Sequence, residues 1–594
     1  MKSFRVTADD IDIGRFSDTP PEIPRRNPQR NTWPLDTHEA TPGSYVFTNQ
    51  PTLVKTPWEL ERAKGTHERR VRPAAAVAKQ EPRKRFPQLP REILHCILDH
   101  LEKLHQNELG FDVTSTQKEL CALSLTSRAW NRAAREHLYR NLWLPNDGEP
   151  KKRKFGFMRH ESRLQSLART LQETPGLAAL VRNLRAPADL SNKLEQPSAE
   201  LGTVVEIILS CPGLERTSGL TLSKRRIPAK FHYALATRRK LKEHIWSLDH
   251  DIGDESLTRS QVVECHTYWT SMETLVLQGG PPSWRFGQGL IAACLHRLPA
   301  LKHLVLASFN ADDFHNGTLL TLPALRSLRL DQMHGVTDEG LQQLGQTHLT
   351  WTLKSLSLLR LKNVHRLRTI QKLLATFTEL KRFTLWHLLG SLGLPPGIDS
   401  VAAVSMPMLQ SPSLEYLHWG HKQSTTADDM LLSSITAGGF PNLRKLRVPN
   451  DYNGSYQNLC RPIPYHQPSE DDEEWLKTGD LVLAGSSGGA NINSIRYARL
   501  NAQRRVAAKQ RAESKFQLVV EDAEVGLKSS SRLGGFVGDV RSGMEYWLEP
   551  DLPGSDHAVV MVEEVLGVGR RGSDGARRGS DAGEEKSADL RALF

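Results

Sequence analysis

Covalent chemistry needs side chains that can attack, ligate or carry protons. The six cysteines, at positions 96, 121, 211, 265, 294 and 460, fall in no Cys-x-x-Cys pair and no metal-ligand spacing. Cys265-His266 is the only Cys/His neighbour pair, and alone it reads as structural. The cysteines are therefore expected to be small buried apolar residues of a reducing compartment. Leu533-Gly534-Gly535-Phe536-Val537-Gly538 is glycine-rich like a phosphate cradle, but no Lys-Ser/Thr follows it. His-Glu-x-x-His is absent as well. These features point to a non-catalytic chain with no metal and no cofactor. What remains is recognition by charged and aromatic side chains, with His303, Arg329, Arg382, Trp386, Tyr416, His418, Lys445 and Arg447 as the candidates. Two copies of Arg-Arg-Gly-Ser-Asp add Ser573 and Ser580 as candidate phosphosites for a basophilic kinase. Low-complexity drift in a tail is an equal reading of them.

The elements that must position these residues form a series. Met272-Glu273-Thr274-Leu275-Val276-Leu277 opens a run of Leu-x-x-Leu-x-Leu hexads that restarts at Leu301, Leu325, Leu353, Leu380, Leu414 and Leu443, 24 to 34 residues apart. This is the leucine-rich-repeat signature. Stretches between hexads, such as Leu290 to Leu301 and Thr369 to Leu380, turn helical. A strand plus a helix cannot bury its own apolar face, so the units are expected to stack into a curved α/β solenoid over 160–450. Its first part, 160–260, is degenerate, and a Gly/Pro-rich insertion runs from Leu389 to Val404. Strand alternation turns the fourth and sixth hexad positions into the core and the third, fifth and following positions to the concave side. That displays the eight candidates above, with Asp331 as the main opposing charge. The resulting expectation is an open surface that reads an acidic or phosphorylated partner, against the plainer reading of a solvated face.

Upstream, Leu89, Ile93, Ile97 and Leu101 recur every four residues beside Leu94 and Leu98, with Pro90 suited to a first helical turn. A second apolar set follows in Leu120, Leu123, Leu125, Trp130, Leu138, Tyr139 and Leu142. Three short helices carrying this much apolar surface suggest a docking module. Leu89-Pro90-x-Glu92-Ile93-x-x-x-Ile97-Leu98-x-x-Leu101 and Leu123-x-Leu125-x-x-x-x-Trp130 resemble the two halves of an F-box, although the interval from Glu102 to Lys118 is longer than the compact pattern. The resemblance implies a module at 86–144 that binds the adaptor of a cullin–RING ubiquitin ligase through Leu89, Pro90, Ile93, Ile97, Leu125 and Trp130. It also implies that the repeats capture an unknown protein target. Val336-Thr337-Asp338-Glu339-Gly340-Leu341 resembles a helix-opening phrase of repeats in such proteins, with Asp338 as the expected N-cap. The C-terminal region resembles those of some filamentous-fungal F-box proteins.

Composition sets the remaining bounds. Among 594 residues there are 34 prolines and 42 glycines, and the net charge is +11. Residues 1–85 read as a disordered basic leader and 145–159 as a basic linker, where Lys151 to Lys154 could be a nuclear-import address or a solvated hinge. An acidic loop is expected at 451–490. A helix from Asn493 to Lys515 with Ile495, Ala498, Ala502 and Val506 on one face leads into an irregular cap over 491–566, and a disordered tail covers 567–594. No apolar run approaches a membrane span, and no signal-peptide stretch opens the chain, so a cytoplasmic or nuclear location is expected. The expected function is the substrate-recognition subunit of an SCF-type ubiquitin ligase. The alternatives are a leucine-rich-repeat scaffold outside any ligase and, more remotely, nucleic-acid binding by the basic stretches.

Overall fold

A computed structural model describes residues 89–107, 110–111, 113–145, 162–186, 199–218, 229–248, 259–280, 287, 289–387, 408–421, 426–467, 469, 472, 494–513, 516–521, 528–533, 535–551, 557–565 and 590–594. The leader, the basic linker, the insertion from Leu389 to Val404 and both candidate phosphosites lie outside these residues. Among the described residues no helix is long and apolar enough to cross a membrane.

The first element among the described residues is helix α1 (Arg91–Leu104), starting after Pro90, whose missing N–H costs a helix start nothing. The residues of the long interval form a small antiparallel pair, β1 (Gln106–Asn107) with β2 (Gly110–Phe111). Helix α2 (Val113–Ser124) follows, then α3 (Arg128–Arg140), whose first turn is capped by the Ser127 side chain accepting from the Trp130 N–H. Leu94, Leu98, Leu120 and Ala133 make a small core, with Leu101, Leu123, Trp130 and Leu138 against it.

Next comes one parallel sheet, in which eleven strands follow chain order from β3 (Asn141–Trp143) to β13 (Lys445–Arg447) and one later strand makes twelve among the described residues. It starts earlier than the hexads indicate. β3 continues directly from α3, and the degenerate stretch supplies β4 (Asn183–Arg185), β5 (Arg216–Ser218) and β6 (Glu243–Leu248). β4 and β5 are only three residues long, whereas β6 is full length and carries His244 and Trp246 where the hexads carry leucine. The clear hexads give β7 (Thr274–Gly279), β8 (His303–Ala307), β9 (Ser327–Asp331), β10 (Ser355–Leu359), β11 (Arg382–His387) and β12 (Tyr416–His421).

The register is strict, so equivalent hexad positions stack. Leu275, Leu304, Leu328, Leu356, Phe383, Leu417 and Leu446 form one inward row, all at 0–1 % exposure within the main core. Ser308, Gln332 and Arg360 follow β8, β9 and β10 at the same turn, with φ of 59°, 52° and 51°. Left-handed backbone in non-glycine residues is mildly strained, and here it lets each N–H reach the carbonyl of the next strand. Asp338 is not the N-cap of its own helix. Thr337 occupies that place, and the Asp338 carboxylate instead accepts from the His365 and Arg366 N–H groups and the Thr369 hydroxyl of the next unit, at 3.0, 3.2 and 2.6 Å.

At the far end the basic stretch forms a helix, Ile495–Glu513, with Ile495, Ala498, Ala502 and Val506 buried as the pattern predicts. The first three join the solenoid core, so the helix covers its end. β14 (Phe516–Glu521) and β15 (Lys528–Leu533) pair as a separate ribbon, and β16 (Glu545–Tyr546) adds a last parallel strand beside β13. Within the acidic run, Asp472 is held by Arg496 at 2.6 Å. Four cysteines are buried, but Cys96 and Cys121 are exposed, because each lies on a helix face turned away from the small core.

Candidate functional site

Two surfaces bring the predicted residues together. The first is on the helical module. Helix α1 is apolar on two faces: Leu94 and Leu98 turn into the core, while Ile93 and Ile97 stay 45 % and 43 % exposed. Leu89, just ahead of the helix, is 39 % exposed, Pro90 is exposed, and Leu125, in the turn before α3, is 85 % exposed. Trp130 is half-buried against the core, presenting only part of its ring. Large aliphatic side chains standing in water beside a complete core are the mark of a surface built for a partner.

The module behind this stripe is braced by polar contacts between α1 and α3. Arg91 pairs with Glu136, and this partner holds the Glu136 carboxyl below its ordinary range. His137 is buried, with Nδ1 3.0 Å from a Glu102 oxygen and Nε2 3.1 Å from His95 Nδ1. Asp99, Glu102 and His137 also offer ligand atoms within 4.8 Å of one another, which is metal-ligand spacing. In this structure the group acts as a brace between helices.

The second surface is the concave face. Alternation places the fifth hexad residues in one row across the sheet: Ile245, Val276, Val305, Arg329, Ser357, Thr384, His418 and Arg447. The row is aliphatic over β6–β8 and polar from β9 onward. The expected positions are the ones on this side, but the face is not open. The chain's own C-terminal segment lies over it. Arg329, Trp386, Tyr416, His418 and Arg447 are consequently buried, and His303 is half-covered. Arg382 stays exposed, with its guanidinium over the Tyr416 ring at 4.9 Å, and Lys445 reaches over Trp547 at 3.7 Å.

The cations expected to fork onto an acidic partner are already engaged. Arg447 makes a bidentate pair with Asp551 at 2.9 Å and donates to the carbonyls of Ala558, at 3.0 Å, and Glu549. Arg329 donates to the Val560 carbonyl at 2.5 Å and to Asp331 at 3.3 Å, while Asp331 also accepts from Arg360 at 2.6 Å. Burial and the neighbouring Arg447 and Arg329 hold His418 neutral, well below its usual pKa, and burial pushes Tyr416 up to about 12. The cations at second hexad positions are partly paired too, with Lys302 on Glu273 at 2.9 Å and Lys381 on Glu415 at 2.8 Å.

The covering segment has no signature in the sequence. The aliphatic stretch from Val559 to Val565 falls within the expected irregular cap over 491–566. An aliphatic run this dense, just where the repeats end, was the available signal that something apolar had to receive it.

Residues 86–145 match the model of the F-box-like family. No curated protein matches the chain. Among solved structures, the leucine-rich-repeat-containing protein LegL7 from Legionella pneumophila is similar at 13 % identity, covering 51 % of this chain and 100 % of that one with a TM-score of 0.27. The yeast Rad7 and Elc1 complex is similar at 15 % identity, covering 67 % of this chain and 94 % of that one with a TM-score of 0.28. The chain thus carries an F-box-like domain at residues 86–145, joined to a leucine-rich-repeat solenoid.

Proposed function

We propose that the protein is the substrate-recognition subunit of a cullin–RING ubiquitin ligase of SCF type. The F-box-like domain docks the ligase adaptor through Leu89, Pro90, Ile93, Ile97, Leu125 and Trp130, and the solenoid holds a target protein. The observation that carries this reading is the exposed aliphatic stripe of Leu89, Ile93, Ile97 and Leu125 on a domain of that family. Its contribution would be proximity: a target held by one end and a ubiquitin carrier brought by the other meet at an effective concentration in the millimolar range. Bond making would belong to the partner enzymes. Capture of adaptor and cullin by the tagged full chain tests this, with Ile93→Ala/Ile97→Ala as the comparison. Recovery that disappears in the double variant supports the reading. No adaptor recovered by the intact chain overturns it and leaves the protein as an interaction scaffold.

A further inference from the structure

The concave face is covered by a segment that is not part of the sheet. Residues 549–551 and 557–565 meet the strands in reverse order, with Arg447 on β13 first and the aliphatic residues of β6–β8 last. Val559 and Met561 pack on Leu359 and Trp386, while Val560, Val562 and Val565 pack on Ile245, Val276, Val305 and Ala307. Leu590, Leu593 and Phe594 complete the same cluster, with the Phe594 ring 5.2 Å from His303.

How the face holds this segment identifies what else it can hold. Beside the Arg447–Asp551 pair, most donors from the sheet reach main-chain carbonyls: Arg447 to Ala558 and Glu549, Arg329 to Val560 and Leu593; Ser355 donates to a terminal oxygen of Phe594. Carbonyls are common to every peptide, so these bonds recognise backbone and not a sequence. Over the first strands, side-chain selection is left to the aliphatic patch of Ile245, Val276, Val305 and Ala307, which lacks any cation for a phosphate. The fit above the polar half is incomplete, since His418 is 2 % exposed and its Nε2 finds no hydrogen-bond partner among the described residues.

We infer that the concave face is a groove for an aliphatic peptide segment, and that the stretch from His557 to Val565, which ends in a helical turn over Val562–Val565, is its intramolecular occupant, which a target must displace. The displacement clause rests on the proposal that the solenoid captures a target; the groove itself does not. A partner of this class would present two or three closely spaced Val, Ile or Leu residues, an arrangement found in exposed or unfolded segments of other proteins. Covering the groove keeps its aliphatic floor out of water until such a segment competes for it.

The test uses the full chain and a fluorescent synthetic peptide of the sequence His557 to Val565, read by anisotropy. Val560→Asp loosens the occupant, and Val562→Ser does so more gently in case the charge unfolds the chain. Expected is binding at least tenfold tighter to either variant than to the parent, and its loss when Val305→Asp is added. Equal affinity for parent and variants, no binding by any of them, or indifference to Val305→Asp overturns the inference. A charged phosphopeptide that binds the variants as tightly as the aliphatic one overturns the assigned ligand class. Adaptor capture is scored on the same preparations, so failure of the ligase reading and failure of the groove give different results.

Discussion

Truncating the exposed stripe of the F-box-like domain should weaken adaptor binding without weakening the fold, and the structure sets the size of the effect. Ile→Ala or Leu→Ala removes three carbon groups, each worth about 0.8 kcal/mol when moved from water to a fully apolar contact. Only the part still wet in the free chain is gained on docking. For Ile93 and Ile97, 45 % and 43 % exposed, that leaves about 1 kcal/mol each, and for Leu125, 85 % exposed, about 2 kcal/mol. Ile93→Ala/Ile97→Ala and the single Leu125→Ala should each raise the adaptor Kd about 30-fold. Titration calorimetry with purified adaptor measures this. Urea unfolding of the same variants should move by less than about 0.5 kcal/mol for Leu125→Ala, because its side chain supports no core. Leu98→Ala, at 0 % exposure, is the contrasting case: it should cost about 2–5 kcal/mol of domain stability. If Leu125→Ala binds the adaptor as tightly as the parent, this stripe is not the docking surface.

Arg447→Ala should destabilise the chain by about 3–5 kcal/mol in urea, since it strands Asp551 and two carbonyls of the covering segment, whereas Arg382→Ala on the exposed rim should cost under about 0.5 kcal/mol. Asp338→Ala should cost about 1–3 kcal/mol and raise amide exchange at His365 and Arg366, because the carboxylate caps the helix of the following repeat. Acid should weaken the solenoid early. His232, His244 and His266 sit in a buried cluster with Trp246 and Trp269, and burial lowers their pKa values to about 3, 3 and 4. The unfolded chain takes up these protons below about pH 6.5 while the native chain does not, so stability falls as pH drops from 6.5 toward 4. Each histidine contributes up to about 1.4 kcal/mol per pH unit in that window, above the range where Glu273 and Glu415 titrate. A urea midpoint unchanged between pH 7 and pH 5 would contradict this.

What could be read from the sequence follows the range of the interaction. The hexads mark the inward row of the sheet because alternation is a local property, visible in six residues. The helical module was legible for the same reason, and the surplus of apolar residues over core positions in α1 anticipated the exposure of Ile93 and Ile97. Asp338 shows where this stops. An acidic residue at a helix start normally caps its own helix, and nothing local says that the next unit lies close enough to take the carboxylate. The concave face is the larger case. Alternation assigns its residues to one side of the sheet, but their accessibility depends on contacts between Val305 and Val560 or Arg329 and Leu593, which have no period and no signature. The same holds for Cys96 and Cys121, whose helix faces depend on how three helices meet.

A stack of repeats ordinarily behaves as a row of neighbours, in which each unit gains stability only from the next and can fray alone. The segment over the concave face changes that. By joining β13 to β6, it makes repeats that never touch one another depend on a single stretch near residue 560. Unfolding should therefore approach one all-or-none step, with the aliphatic strands β6–β8 protected as long as β13 is. Assembly is delayed in turn: during synthesis the early repeats emerge with Ile245, Val276 and Val305 uncovered and can finish only after the last part of the chain appears. Until then the nascent solenoid displays an aliphatic strip to every chaperone and every neighbouring chain.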